Sequence, residues 1–94
     1  MAVIESIRLK VARGDYELTI PHFIEEMAND RLVFADVENA IANGHLRRKF
    51  TRDPRGIRYE VVGTALDGRE IAVICRIKST GRVLLITTYA LEEL

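Results

Sequence analysis

Tyr59, Arg76 and Lys78 are the residues of this 94-residue chain whose types and spacing best suit a reaction. An arginine beside a phenol and a second cation binds a phosphate bidentately and stabilises a developing negative charge. A tyrosine near such cations has its pKa lowered towards the range in which it shares in proton transfer. Tyr89 has the right strand period to join them, at roughly 13 Å along its strand from the pair. The plainer alternative is that Arg76 stacks on Tyr59 as a cross-strand cation–π pair over a half-exposed sheet. His22, directly after Pro21, is a further candidate. At a helix start it is either a general acid or base with a pKa lowered by the helix dipole, or a side chain that packs and bonds locally.

Other reactive types point nowhere. His22 and His45 have neither HxxxH nor HExxH spacing, so no metal site and no cofactor is expected. Cys75 is the only cysteine, which excludes an internal disulfide; its position in an apolar run predicts an inert core thiol. No Walker loop, GxGxxG or GxSxG occurs.

Charge is the stronger signal. The chain holds 14 basic and 14 acidic residues, but they are unevenly spread. Residues 1–44 carry four basic and eight acidic side chains, a net of −4; residues 45–94 carry ten and six, a net of +4. Between His45 and Arg58, the cations Arg47, Arg48, Lys49, Arg52, Arg55 and Arg58 face only Asp53. Such a run gives a local positive field whose usual target is a polyanion. It equally suits a charged strand edge kept soluble, or a surface for an acidic protein.

The elements that must position these groups follow from the hydrophobic period. With 48% hydrophobic residues and two prolines, the length predicts a single domain over residues 1–94. The start MAVIESIRLKVARGD has no apolar stretch of signal or membrane type, and a reducing cytosol is the expected location. Ile4, Ile7, Val11 and Leu9 give a helix over about Ala2–Ala12, ended by Gly14-Asp15. A second helix begins near Pro21, capped by Thr19 or Ile20, with Phe23, Ile24 and Met27 facing inward. A third spans about Phe34–Asn43, with Val37, Ala40 and Ile41 inside and Gly44 as a left-handed closing residue. The period then changes to two, giving strands Leu46–Thr51, Ile57–Ala65, Glu70–Ile77 and Val83–Ala90. Asp67-Gly68 and Thr80-Gly81 mark hairpin turns. The fold class is therefore α+β, with N-terminal helices on one face of a roughly four-stranded antiparallel sheet.

Two-residue turns would set Tyr59 opposite Arg76, and Arg76 opposite Leu85. One face then collects Val62, Ile71, Val73, Cys75, Ile77, Leu84 and Ile86 and receives the helices. The other collects Tyr59, Val61, Ile74, Arg76, Lys78, Leu85, Thr87 and Tyr89. That mixed face is expected to be open or to form an interface.

From Tyr16 to Leu91 the order of features resembles a bacterial family of unknown function, the domain-of-unknown-function 4258 family. The resemblance rests on His22, Met27, Asp36-Val37, Ala40-Ile41, Gly44, Asp53-Pro54-Arg55-Gly56, Arg58-Tyr59, Gly63, Asp67-Gly68-Arg69 and the run from Val83 to Tyr89. That family is similar in layout to small RelE-like and BrnT-like ribonuclease toxins, with helices on one side of an antiparallel sheet. The resemblance implies an RNA-binding, toxin-type domain that cleaves RNA, if it does, without metal. By that resemblance Tyr59, Arg76, Tyr89 and His22 are catalytic candidates. Arg47, Arg48, Lys49, Arg52, Arg55 and Lys78 would hold the RNA backbone. An antitoxin with an acidic segment would be the partner. The rival expectation is a non-catalytic binding or assembly module, its mixed face serving a homodimer or another protein, with no membrane involved.

Overall fold

The computed structural model describes residues 1–91. Its element order is α1 (Val3–Ala12), β1 (Tyr16–Leu18), α2 (His22–Asn29), α3 (Phe34–Asn43), β2 (His45–Phe50), β3 (Arg58–Thr64), β4 (Glu70–Ile77) and β5 (Val83–Ala90). The sheet has five strands, not four, in the order β1-β5-β4-β3-β2. It is mostly antiparallel; only β1, a three-residue strand, runs parallel to its neighbour β5. The α+β class expected from the hydrophobic period therefore holds, with one strand more.

Each helix buries the stripe its spacing dictates. Ile7 and Val11 of α1, Phe23 and Met27 of α2, and Val37, Ala40 and Ile41 of α3 join one cluster with Val61, Ile71, Val73, Cys75, Val83 and Leu85 of the sheet. Full burial of a side chain such as Phe23 contributes roughly 3 kcal/mol from area alone. Leu9 and Ile24, expected inside, are exposed, because neither lies on the stripe that its helix turns towards the sheet.

Polar bonds fix how the helices seat. Asp36 accepts from the Val33 backbone N–H at 2.9 Å, where it also favours the helix N-terminus, and from the Leu66 N–H at 3.0 Å. One carboxylate thus ties the start of α3 to the β3–β4 turn. At the other end of α3, the Arg8 guanidinium donates to the Ile41 and Gly44 carbonyls. Gly44 does not take the expected left-handed conformation; its φ is −82°. Its value is space, and the same holds for Gly63. A Cβ at either position would collide with the Ala40 carbonyl oxygen, so α3 rests directly on β3 backbone.

The turns are where sequence and structure part. Ala65 N–H donates to Arg69 O, and Lys78 N–H to Arg82 O, so each hairpin loop has three residues rather than two. Gly68 and Gly81 take the positive φ that closes a loop of this length, 91° and 90°. One extra loop residue shifts each pairing by one, and a one-residue shift turns the strand over. Tyr59 accordingly pairs with Cys75, not Arg76, and Cys75 with Leu85. Tyr59, Val61 and Leu85 face the helices, whereas Val62 and Leu84 lie on the opposite face. The pairing then slips back by one residue at Ile86, a bulge on β5. Thr87 and Tyr89 therefore stand on the helix-free face, as the sequence suggests.

Candidate functional site: a basic sheet face with two buried carboxylates

No helix of the core cluster covers the second sheet face. Val62, Ala72 and Ile74 lie on it, buried but outside that cluster. The long polar side chains around them do the screening, organised by two carboxylates, Glu60 and Asp53.

The first is Glu60, 1% exposed and paired across the sheet with Ile74. It accepts from Arg47 Nη2, sits 3.4 Å from Arg48 Nε, and receives the Tyr89 hydroxyl at 3.1 Å. Successive strand residues normally point to opposite faces. Arg47 and Arg48 reach one carboxylate because a bulge between Leu46 and Arg48 breaks that alternation. A second bulge, at Ile86, aims Tyr89 at the same point. Burial raises the Tyr89 phenol above its ordinary range, and the Glu60 carboxylate adds to that shift. The bond from Arg47 to Glu60 raises that guanidinium in turn.

The second is Asp53, in the loop between β2 and β3, its side chain 5% exposed. Its Oδ1 accepts from the Arg55 backbone N–H at 2.9 Å and from Arg55 Nε at 3.2 Å. Its Oδ2 faces three guanidiniums: Arg58 Nε at 3.3 Å, Arg55 Nη2 at 3.5 Å and Arg76 Nη1 at 3.6 Å. The Arg55 backbone bond chiefly, then its side chain, holds the Asp53 carboxyl below the usual carboxylate range. Arg58 lies over the Phe50 ring, 5.2 Å from its centroid. An open pocket of about 540 Å³ adjoins the cluster, lined by Lys49, Phe50, Arg52, Asp53, Arg55 and Arg58 among others.

The structure brings some of the sequence candidates together and separates others. Arg47, Arg48, Lys49, Arg52 and Arg55 follow β2 and its loop. Arg76 joins them through Asp53, and Tyr89 through Glu60. Tyr59 does not: it is nearly buried in the helix-side core, and the Tyr59–Arg76 pair expected from two-residue turns does not form. Lys78 shares the helix-free face but lies towards the β1 edge, away from β2, where Glu17 of β1 takes its Nζ at 3.1 Å and 3.2 Å. His22 belongs to the helix layer, half exposed and 3.9 Å from Glu26. Burial pushes the Cys75 thiol up to about 12, as suits a core residue. Glu60 was legible in the sequence only as an acidic residue among strand positions. Its role needs the two bulges.

No helix among the described residues is long and apolar enough to cross a membrane. A helical layer on one side of a mostly antiparallel sheet, with a basic face on the other that no helix of the described residues covers, defines an α+β domain. The chain belongs to the family described as domain of unknown function (DUF4258), whose model matches residues 21–90. No curated protein and no solved structure matches it.

Proposed function

We propose that this chain is an RNA-binding domain of the RelE-like toxin type, gripping the phosphate backbone along β2 and the loop that follows. The observation that carries the reading is the concentration of exposed cations, Arg48, Lys49, Arg52 and Arg55, on an edge strand and the loop after it. Lys49 and Arg52 have no ion pair among the described residues, so their charge is free for a ligand. Arginine and lysine contacts to phosphate position a nucleic acid without reading its sequence.

The same geometry favours binding over catalysis. Tyr59 is withdrawn into the core, Tyr89 donates to Glu60, and a phenol with a raised pKa is a poor proton acceptor at neutral pH. Arg76 and, more remotely, Tyr89 remain as groups for charge stabilisation if cleavage occurs, and His22 lies in the helix layer apart from them. The reading is tested by RNA binding and cleavage assays in EDTA, with wild-type protein and Arg76→Ala. Binding lost on mutating the β2 cations supports it, and metal-independent cleavage lost in Arg76→Ala adds activity. Absence of binding by folded protein overturns it.

A second reading has its own observation. β2 is a six-residue edge strand whose outer edge pairs with nothing among the described residues. A partner with an acidic extended segment, as an antitoxin would carry, adds to such an edge through backbone hydrogen bonds while its carboxylates meet the cations. Loss of RNA binding on adding an acidic peptide would place both ligands on one surface.

A further inference from the structure

We propose that the arginine cluster around Asp53 is a site for a phosphate monoester, with the Asp53 carboxylate holding the place of the anion in its absence. In the RNA reading on which this rests, the ligand is a terminally phosphorylated strand, not the interior of the backbone.

Three features point to an anion. Three guanidiniums converge on one oxygen, Oδ2 of Asp53, at 3.3 Å, 3.5 Å and 3.6 Å. Two of the facing nitrogens, Arg58 Nε and Arg76 Nη1, are buried and make no hydrogen bond among the described residues. Buried donors are rarely left so, and each lies close to an acceptor that it does not properly engage. A tetrahedral anion offers more oxygens and more directions than a planar carboxylate, so it can meet guanidinium edges that one carboxylate serves poorly. The pocket beside the cluster gives access from solvent, and Arg55 and Arg58 border it.

Charge selects the kind of phosphate. Three arginines and one aspartate leave two positive charges. A monoester carries about −1.5 to −2 at neutral pH, whereas each backbone diester carries one. The cluster is thus matched to a terminal phosphate, with the exposed cations Lys49 and Arg52 at the pocket wall for the adjoining diesters.

Asp53 stands where the anion would sit. It sits in a short loop whose Gly56 has φ of 125°, and a Cβ at Gly56 would stand 3.3 Å from Arg76 Cδ. The loop closes tightly over Arg76 only because glycine is there. As the carboxylate turns away, Arg58 and Arg76 are released to the incoming phosphate. Asp53 therefore weakens anion binding in the resting protein and keeps the arginines gathered.

The test is equilibrium binding of one short oligoribonucleotide carrying a 5′-phosphate, a 3′-phosphate or neither, with inorganic phosphate as a separate probe followed by NMR shifts. The proposal expects one phosphorylated form to bind about tenfold more tightly than the unphosphorylated form. The preference should widen in Asp53→Asn and disappear in Arg76→Ala. Arg55→Ala, at an exposed side chain, supplies the same check should Arg76→Ala fail to fold; thermal melts identify that case. Equal binding of all three oligonucleotides by wild type and Asp53→Asn overturns the proposal while leaving the RNA reading intact. Inorganic phosphate shifting Arg58 and Arg76 while none of the three oligonucleotides binds supports the site and overturns the RNA reading.

Discussion

The Tyr89 hydroxyl donates to Glu60 Oε1 across 3.1 Å, joining β5 to β3 over the intervening strand β4. Arg47 and Arg48 approach the same carboxylate from β2. One buried anion on β3 thereby holds side chains from β2 and β5 on a face that no helix of the described residues covers. It fixes the direction in which the basic edge strand presents its remaining cations.

Tyr89→Phe removes that bond and leaves the ring in place. The loss should be about 1 kcal/mol, the usual worth of a partly buried hydrogen bond, read from chemical denaturation. Glu60→Ala should cost more, because it leaves the cations of β2 and the phenol without their shared acceptor. Its effect should appear as disorder of β2 in amide exchange rather than as loss of the helical layer.

The Tyr89 titration has a definite sign. Its pKa is raised in the folded protein, so the stability it contributes is complete below the ordinary tyrosine value. That contribution is lost as pH rises through the folded value. Ultraviolet titration of wild type against Tyr89→Phe should show the Tyr89 phenol ionising late, and Glu60→Gln should bring it back towards the ordinary range. Asp53 and Asp67 run the other way: both are lowered, chiefly by backbone bonds from Arg55 and Arg69. Their contribution is present above the ordinary carboxylate pKa and fades as pH falls through the folded values.

Gly63→Ala tests how α3 meets the sheet. The added methyl would meet the Ala40 carbonyl, which can move only with the helix. A destabilisation of about 2–4 kcal/mol is expected, with α3 shifting as a unit. An unchanged melting temperature would show that α3 does not rest on β3 at this point.

Cys75 should resist thiol reagents in the folded protein near pH 8 and react fully once unfolded, since burial holds its pKa at about 12. Rapid labelling of the native state would mean that the sheet and helices separate readily.

Much of this architecture was legible in the residues. The Asp67-Gly68 and Thr80-Gly81 pairs located both hairpins, and the run from Ile71 to Ile77 named the core face of β4 correctly. The concentration of charge after His45 marked the basic strand. What failed did so for small geometric reasons. A dipeptide turn signal does not say whether a loop has two residues or three, and that single residue decides which way Tyr59 faces. Tyr89 was placed correctly because the bulge at Ile86 offsets the loop error on that strand. β1 escaped notice because three residues give no period, and its partner β5 lies far along the chain. Glu60 and Asp53 read as ordinary charges. Only the bulges and the loop reveal that arginines gather around them.

Fluorescence anisotropy of a labelled single-stranded RNA across a salt series tests whether β2 and its loop bind RNA through phosphate, as proposed. Four phosphate contacts, from Arg48, Lys49, Arg52 and Arg55, predict a log–log slope of roughly −3, and each alanine substitution should make it shallower by about 0.7. Binding that is absent at low salt, or that neither salt nor these substitutions weaken, would contradict the account.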